Sequence, residues 1–235
     1  MNTVTEGFWA DHAAEFFENT ELYSIVARSL MVSGMATLVA VTLGMPLGYL
    51  VGTKLLPGRR ILLTLIHAGM GLPTVFVGLL GMLMLGREGP LGGLHLLYTP
   101  AAMVIAQAVL VVPIIAALAQ QVLSELYGEY EEQLRSLGVS SARAIPTLLW
   151  DGRFSLLIAV LAGFGRASAE VGAVIIVGGN INHLTRVMTT TIALETSKGN
   201  LAMALGLGLI LVLIVIFVNA LTVVVRSGAS RLQGR

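Results

Sequence analysis

Arg166 and Glu170 lie four residues apart in an otherwise apolar run, residues 154–177. That spacing puts both side chains on one face of a helix, within reach of each other. A bare charge at mid-membrane costs about 2.5–3.5 kcal/mol on insertion scales, and pairing offsets much of it. Two chemistries fit: an ion pair that fixes packing, or a polar contact along a pathway. The following stretch supplies neutral donors at Thr185, Thr189, Thr190, Thr191, Thr196 and Ser197, behind a helix-ending Gly178, Gly179 and Asn180. These hydroxyls either donate, without net charge, to a polar ligand or satisfy backbone carbonyls in a half-buried loop. Arg186 adds a cation to the same stretch.

A second polar stretch, residues 124–153, is the one long polar segment between apolar runs. Leu134 and Leu137 are spaced for one helix face, and Gly138 is suited to end that helix in the left-handed region. Ser140 or Ser141 is placed to cap a following helix that carries Ala142, Ile145, Leu148 and Leu149. The expected product is two short helices meeting at a glycine elbow, a rigid knob that fits a groove on a partner.

Other chemistries have no residues to run on. Cysteine is absent, which removes thiol catalysis, disulfides and Cys-based metal sites. His12, His67, His95 and His183 show no metal-ligand spacing, and His67 reads as a hydrogen-bonded histidine that packs a helix. No P-loop pattern occurs. A net charge of +1 gives no basic excess for a phosphate backbone, so no nucleic acid is expected. The chain is expected to catalyse nothing and to bind no metal or cofactor.

The elements that position these residues are membrane helices. Hydrophobic residues make up 56% of the 235-residue chain and charged residues 11%, against about 25% charged in a soluble domain. Five windows approach the 20 or so apolar residues that a crossing requires: 25–51, 61–85, 99–123, 154–177 and 201–225. The fold class read from them is all-α and polytopic, with five transmembrane helices. Residues 1–24 form an external segment, in which Trp9, Ala13, Phe16 and Phe17 suit an interfacial helix. Residues 25–225 form the membrane domain and 226–235 a tail. Nine of the fourteen basic residues fall in the loops after the first and third windows and in the tail. Those segments are therefore cytoplasmic, with the N-terminus outside and the C-terminus inside. No cleavable signal peptide is expected, because no basic region precedes the first apolar run. Pro46, Pro73 and Pro113 should kink their helices. The pairs Gly44/Gly48, Gly163/Ala167 and Ala202/Gly206 read as close helix contacts. No internal repeat is present, and five spans are few to enclose a polar pathway, so a second copy is expected to complete it.

Two motifs carry a resemblance. Glu132 and Gly138 match the glutamate and glycine of the E-A-A-x-x-x-G coupling loop of ABC-importer permeases. Gln133 and Leu134 replace its two alanines, and Leu148, Leu149, Trp150 and Asp151 stand where an apolar–Leu–Pro ending is usual. The pattern F-x-R-A-x-x-E-x-G-A over residues 164–173, the G-N-I at 179–181 and the run T-R-V-M-T-T-T-I-A-L-E-T-S-K-G at 185–199 resemble the permeases for sulfate, molybdate and tungstate, the tungstate branch most. The resemblance implies a type I ABC-importer permease fold in a prokaryotic inner membrane, surrounded by lipid. It implies a homodimeric pathway, two cytoplasmic ATPase subunits that use the ATP, and an extracytoplasmic oxyanion-binding protein. It implies that Glu132, Arg135, Ser136, Gly138, Ser141 and Ala142 form the ATPase-coupling loop. Arg166, Glu170, Asn180, Arg186, Thr189 and Thr190 become the pathway and gate candidates. Tungstate is the expected cargo, with molybdate or sulfate as alternatives. A gradient-driven carrier or channel is the competing class; it calls for titratable residues in several spans, and only the fourth has a carboxylate.

Overall fold

A computed structural model describes residues 20–53, 58–140 and 143–233, with side chains from 21 to 227. The described residues form α-helices joined by turns and one short 3₁₀ turn. The helices are α1 (Thr20–Gly52), α2 (Arg59–Met70), α3 (Thr74–Leu85), α4 (Pro100–Ser136) and α5 (Ile145–Asp151). They continue with α6 (Arg153–Ser168), α7 (Gly172–Gly178), α8 (Met188–Ser197) and α9 (Leu201–Gln233). Among them α1, α4 and α9 are long and apolar enough to cross a membrane. The number of crossings reaches five if each bent pair, α2 with α3 and α5 with α6, counts as one. Much of α9 presents exposed Leu, Ile, Val and Phe, as a lipid-facing helix does.

The bundle is organised on α4. At 37 residues and 1.5 Å per residue it is a rod of about 55 Å. Thr99 caps it by accepting the Ala102 N–H, and Pro100 occupies the first turn, where its missing N–H costs nothing. α1 lies along α4 through a groove of small residues. A Cβ at Gly44, Gly48 or Gly52 would come within 3.0 Å or less of an α4 backbone oxygen. The Gly44/Gly48 pair is therefore a packing surface, and Gly163 of α6 likewise faces Ile115 and Val111 of α4.

Several expectations change. The 61–85 window is one span in sequence but turns by 100° between α2 and α3, because Gly71 ends one helix and Pro73 begins the next. Pro46 and Pro113 sit inside helices that continue through them; the Pro113 ring is accommodated by Gly69, where a Cβ would lie 2.9 Å from it. The 154–177 window is broken after Ser168 and resumes at Gly172. Residues 20–24 belong to the first helix rather than to a separate segment, and 226–233 continue α9. The interfacial face at Trp9, Ala13, Phe16 and Phe17 lies outside the described residues, as do Ser141 and Ala142.

Candidate functional site

The break in the fourth window builds the first part of the site. α6 ends at Ser168, and Glu170 follows in the connection to α7. Arg166 Nη1 donates to Glu170 Oε2 at 2.6 Å, so the pairing read from the sequence holds although the helix does not run through both residues. The second carboxylate oxygen, Oε1, accepts the Ala173 N–H at 3.0 Å in the first turn of α7, where helix donors lack intrahelical partners. The Glu170 carbonyl accepts from Thr189 Oγ1 at 2.9 Å, in the first turn of α8. One residue thus joins α6, α7 and α8. Its side chain is 3% exposed, whereas Arg166 is 37% exposed.

From α4, Gln107 Nε2 donates to the Ala167 carbonyl at 2.9 Å, which also accepts the Glu170 N–H at the end of α6. Gln107 Oε1 and Ser168 Oγ are buried at the same place without a hydrogen-bond partner among the described residues. The sequence reading missed Gln107; its signal was an amide amid apolar residues in the first half of the 99–123 window, well before Gln120 and Gln121.

The segment after α7 builds the second part. Gly179 adopts φ 69° and Asn180 φ 49°, so the glycine–asparagine pair ends the helix as expected. A Cβ at Gly179 would lie 2.8 Å from the Tyr98 ring. Thr190 Oγ1 accepts the Val187 N–H at 3.2 Å and lies 2.9 Å from Asn180 Oδ1. Thr189 and Thr190 are adjacent, which ties this turn to the Glu170 cluster. Thr191, Thr196 and Ser197 donate to the carbonyls of Val187, Ile192 and Ala193, and Thr185 to that of Gly178. The hydroxyl protons are committed inside the chain, the second of the two readings offered by the sequence. Arg186 lies beside α1: Arg28 donates to the carbonyls of Arg186 and His183 at 3.1 and 3.0 Å. The Arg186 Nε is buried without a hydrogen-bond partner among the described residues.

The elbow stands at the opposite end of α4. Gly138 has φ 65°. Its N–H bonds to the Arg135 carbonyl, and the Val139 N–H to that of Leu134, the paired closure of a Schellman motif. The first limb is not a separate short helix but the end of α4, because nothing interrupts the helical pattern from 100 to 136. Glu132, Arg135 and Ser136 are exposed on its last turns. The second limb, α5, has no side-chain cap. Ser140 serves through its backbone carbonyl, which accepts from the N–H groups of Arg143 and Ala144. Leu148 and Ala144 bury against Tyr49, Leu123 and Leu156, which fixes the elbow to α1, α4 and α6. Arg153 lies 4.5 Å over the Trp150 ring and 4.6 Å over that of Phe154. Beyond the apolar part of α4, the Asp151 carboxylate raises the Tyr130 phenol above its usual range. Leu137 and Trp150 remain 75% and 68% exposed.

His67 is hydrogen-bonded, through Nδ1 to the Leu63 carbonyl at 2.8 Å. It is exposed rather than packed, facing an open hollow of about 390 Å³ with Gln120, Gln121, Ser124 and Glu125, while the neighbouring Ile66 makes the buried contact of α2 with α4.

No family model matches the chain. Comparison with curated proteins finds the tungstate uptake system permease TupB of Peptoclostridium acidaminophilum, 38% identical over 87% of this chain and 90% of that protein. A probable anion ABC transporter permease of Haloferax volcanii is 37% identical over 92% of this chain and 95% of that protein. The chain belongs to the family of ABC-type anion permeases. A more distant relative of this permease is the sulfate transport system permease CysT of Salmonella typhimurium, 27% identical over 78% of this chain and 69% of that protein. The relatives are permease subunits of transport systems, which accords with an all-helical, apolar chain.

Proposed function

We propose that this chain is the membrane-spanning subunit of an ATP-driven importer of tetrahedral oxyanions, with tungstate as its cargo. The observation that carries the reading is the likeness to a tungstate uptake permease across 90% of that protein's length. The elbow adds mechanical support, since α4 is one uninterrupted helix from the Glu170 cluster to Gly138. Two copies form the pathway between them. The elbow end faces the cytoplasm, where the basic residues concentrate. There Glu132, Arg135, Ser136, Gly138, Ser141 and Ala142 receive a cytoplasmic ATPase subunit, one for each copy. The partner consumes the ATP, and this chain supplies no catalytic group. An extracytoplasmic binding protein delivers the anion at the end that carries Asn180 and Arg186. ATP binding draws the ATPases together, the elbows follow, and α4 and α6 shift the connection at Glu170 and, through Thr189, the start of α8. Access then alternates between the two sides.

The likeness to a sulfate permease keeps sulfate as a second reading, and molybdate has the same shape and charge. The test is ATP-dependent uptake of tungstate, molybdate and sulfate into proteoliposomes that hold the permease with its ATPase and binding protein. Tungstate preference is expected, and sulfate preference overturns the cargo assignment. Uphill transport by the purified chain alone overturns the whole reading.

A further inference from the structure

Glu170 is satisfied and Arg166 is not. Both carboxylate oxygens are engaged, one by Arg166 Nη1 and one by the Ala173 N–H. The guanidinium uses a single nitrogen in that pair, and its Nε and Nη2 have no partner among the described residues. An arginine carries five N–H donors in a fixed fork, so most of this one is open to another acceptor.

The open side is not suited to lipid. Arg166 lies one residue from Ala167, whose carbonyl is held by Gln107. Gln107 is seven residues along α4, about 10 Å from that helix's start. That depth is inside a hydrocarbon layer of about 30 Å, where a charge facing lipid carries the insertion cost given above. The same helix face exposes only small residues. Ala162, one turn earlier, and Ala169 are exposed, and a Cβ at Gly165 would have no neighbour within 4 Å. The guanidinium, 37% exposed, is thus flanked by alanines and glycine and by no large apolar side chain on that face.

We infer that Arg166 is a contact for the dianion in transit and that Glu170 is its resident counter-charge, which leaves the free N–H groups to grip the cargo loosely. This rests on the proposed transport function and names a residue for it. The carboxylate cancels the net charge at the site, so the contact is a fork of hydrogen bonds without a full Coulombic trap. A lone arginine at that depth would hold a dianion too long for conduction. The geometry of the fork suits oxygen-bearing anions, which accept two parallel N–H bonds. Glu170 is a positioning residue here, and Arg166 is the one that touches cargo.

The chain has no cysteine, so an introduced thiol is the only one this subunit carries, and its labelling is read on this subunit's band. Ala162→Cys keeps both charged residues. In the assembled complex it should react with a membrane-impermeant anionic thiol reagent, and millimolar tungstate should slow that reaction several-fold. Adding Arg166→Gln to this variant should abolish the protection. In uptake assays Arg166→Gln should lower ATP-dependent transport about tenfold or more, the worth of charge-assisted hydrogen bonds. The double variant R166Q/E170Q removes both charges and relieves any unpaired one. If the pair is only structural, this double variant regains wild-type uptake, and that result overturns the inference. A cysteine at 162 that reacts only with lipid-soluble reagents, or that tungstate does not protect, also overturns it. Failure of the wild-type complex to take up tungstate overturns the functional reading and this inference with it. An active wild type beside an equally active Arg166→Gln overturns this inference alone.

Discussion

Gly48→Ala tests whether α1 and α4 are held at the distance that the glycine groove implies. The added Cβ would sit 2.7 Å from the Ala116 carbonyl oxygen, 2.8 Å from the Ala119 Cβ and 2.9 Å from the Gln120 N. None of these is the end of a flexible side chain, so no rotamer change relieves the clash. Ordinary carbon contacts lie near 3.5–4.0 Å, so the helices must separate by several tenths of an ångström along the best-packed pair in the bundle. Overpacking of this kind costs about 1–3 kcal/mol. At about 2–4 °C per kcal/mol for a chain of this size, the melting temperature should fall by roughly 2–12 °C. Gly34→Ala on the same helix is the control: a Cβ there meets nothing within 4 Å, and alanine favours a helix interior by about 0.5–1 kcal/mol over glycine. The assay is thermal unfolding in detergent, followed by the loss of monodisperse protein on size exclusion. Equal melting temperatures for wild type and Gly48→Ala would refute the reasoning, as would equal destabilisation by the two substitutions.

Gly138→Val should insert and assemble but lose transport while the partner ATPase still hydrolyses ATP, because a branched residue is strained by about 1–2 kcal/mol in the left-handed conformation; Gly138→Asn, which tolerates that conformation, should retain coupling in the same uptake and phosphate-release assays. Thr189→Val keeps the shape of the side chain and strips the buried Glu170 carbonyl of its donor, at about 1–3 kcal/mol; uptake should fall further than thermal stability does, measured side by side. Tyr130 should ionise above its ordinary value of 10.0, as read by tyrosinate absorbance against Tyr130→Phe, and Asp151→Asn should bring it back down. Since the folded value is the higher one, the contribution of this phenol to stability is complete below pH 10.0 and is lost as pH climbs through the raised value.

The α4 rod and the elbow show how far sequence reading reaches. Gly138 was legible as a left-handed helix end, since backbone geometry at one residue depends on nothing distant. The limb before it was misjudged as short, because a polar helix that continues an apolar one shows no boundary beyond a change of composition. Ser140 or Ser141 reads as a side-chain cap; Ser141 lies outside the described residues, and Ser140 acts through its carbonyl, a difference that no spacing encodes. Arg166 and Glu170 were legible as a pair at i and i+4, yet the break after Ser168 was not. An apolar run reads the same whether it continues or breaks, and the break is held by Gln107 and Thr189, which are 60 residues before Ala167 and 19 after Glu170.

Composition and periodicity determined the class: a chain with 11% charged residues has too little polar surface for water and enough apolar length for several crossings. Local stereochemistry likewise determined the glycine turns at 138 and 179. Only the tertiary structure decided that Glu170 gathers three helices, that Thr189 donates to its carbonyl, and that Arg166 keeps donors to spare. Those outcomes depend on which orphaned backbone groups meet across the bundle, and hydrogen-bond partners that arrive from distant segments leave no mark on the spacing of the residues they join.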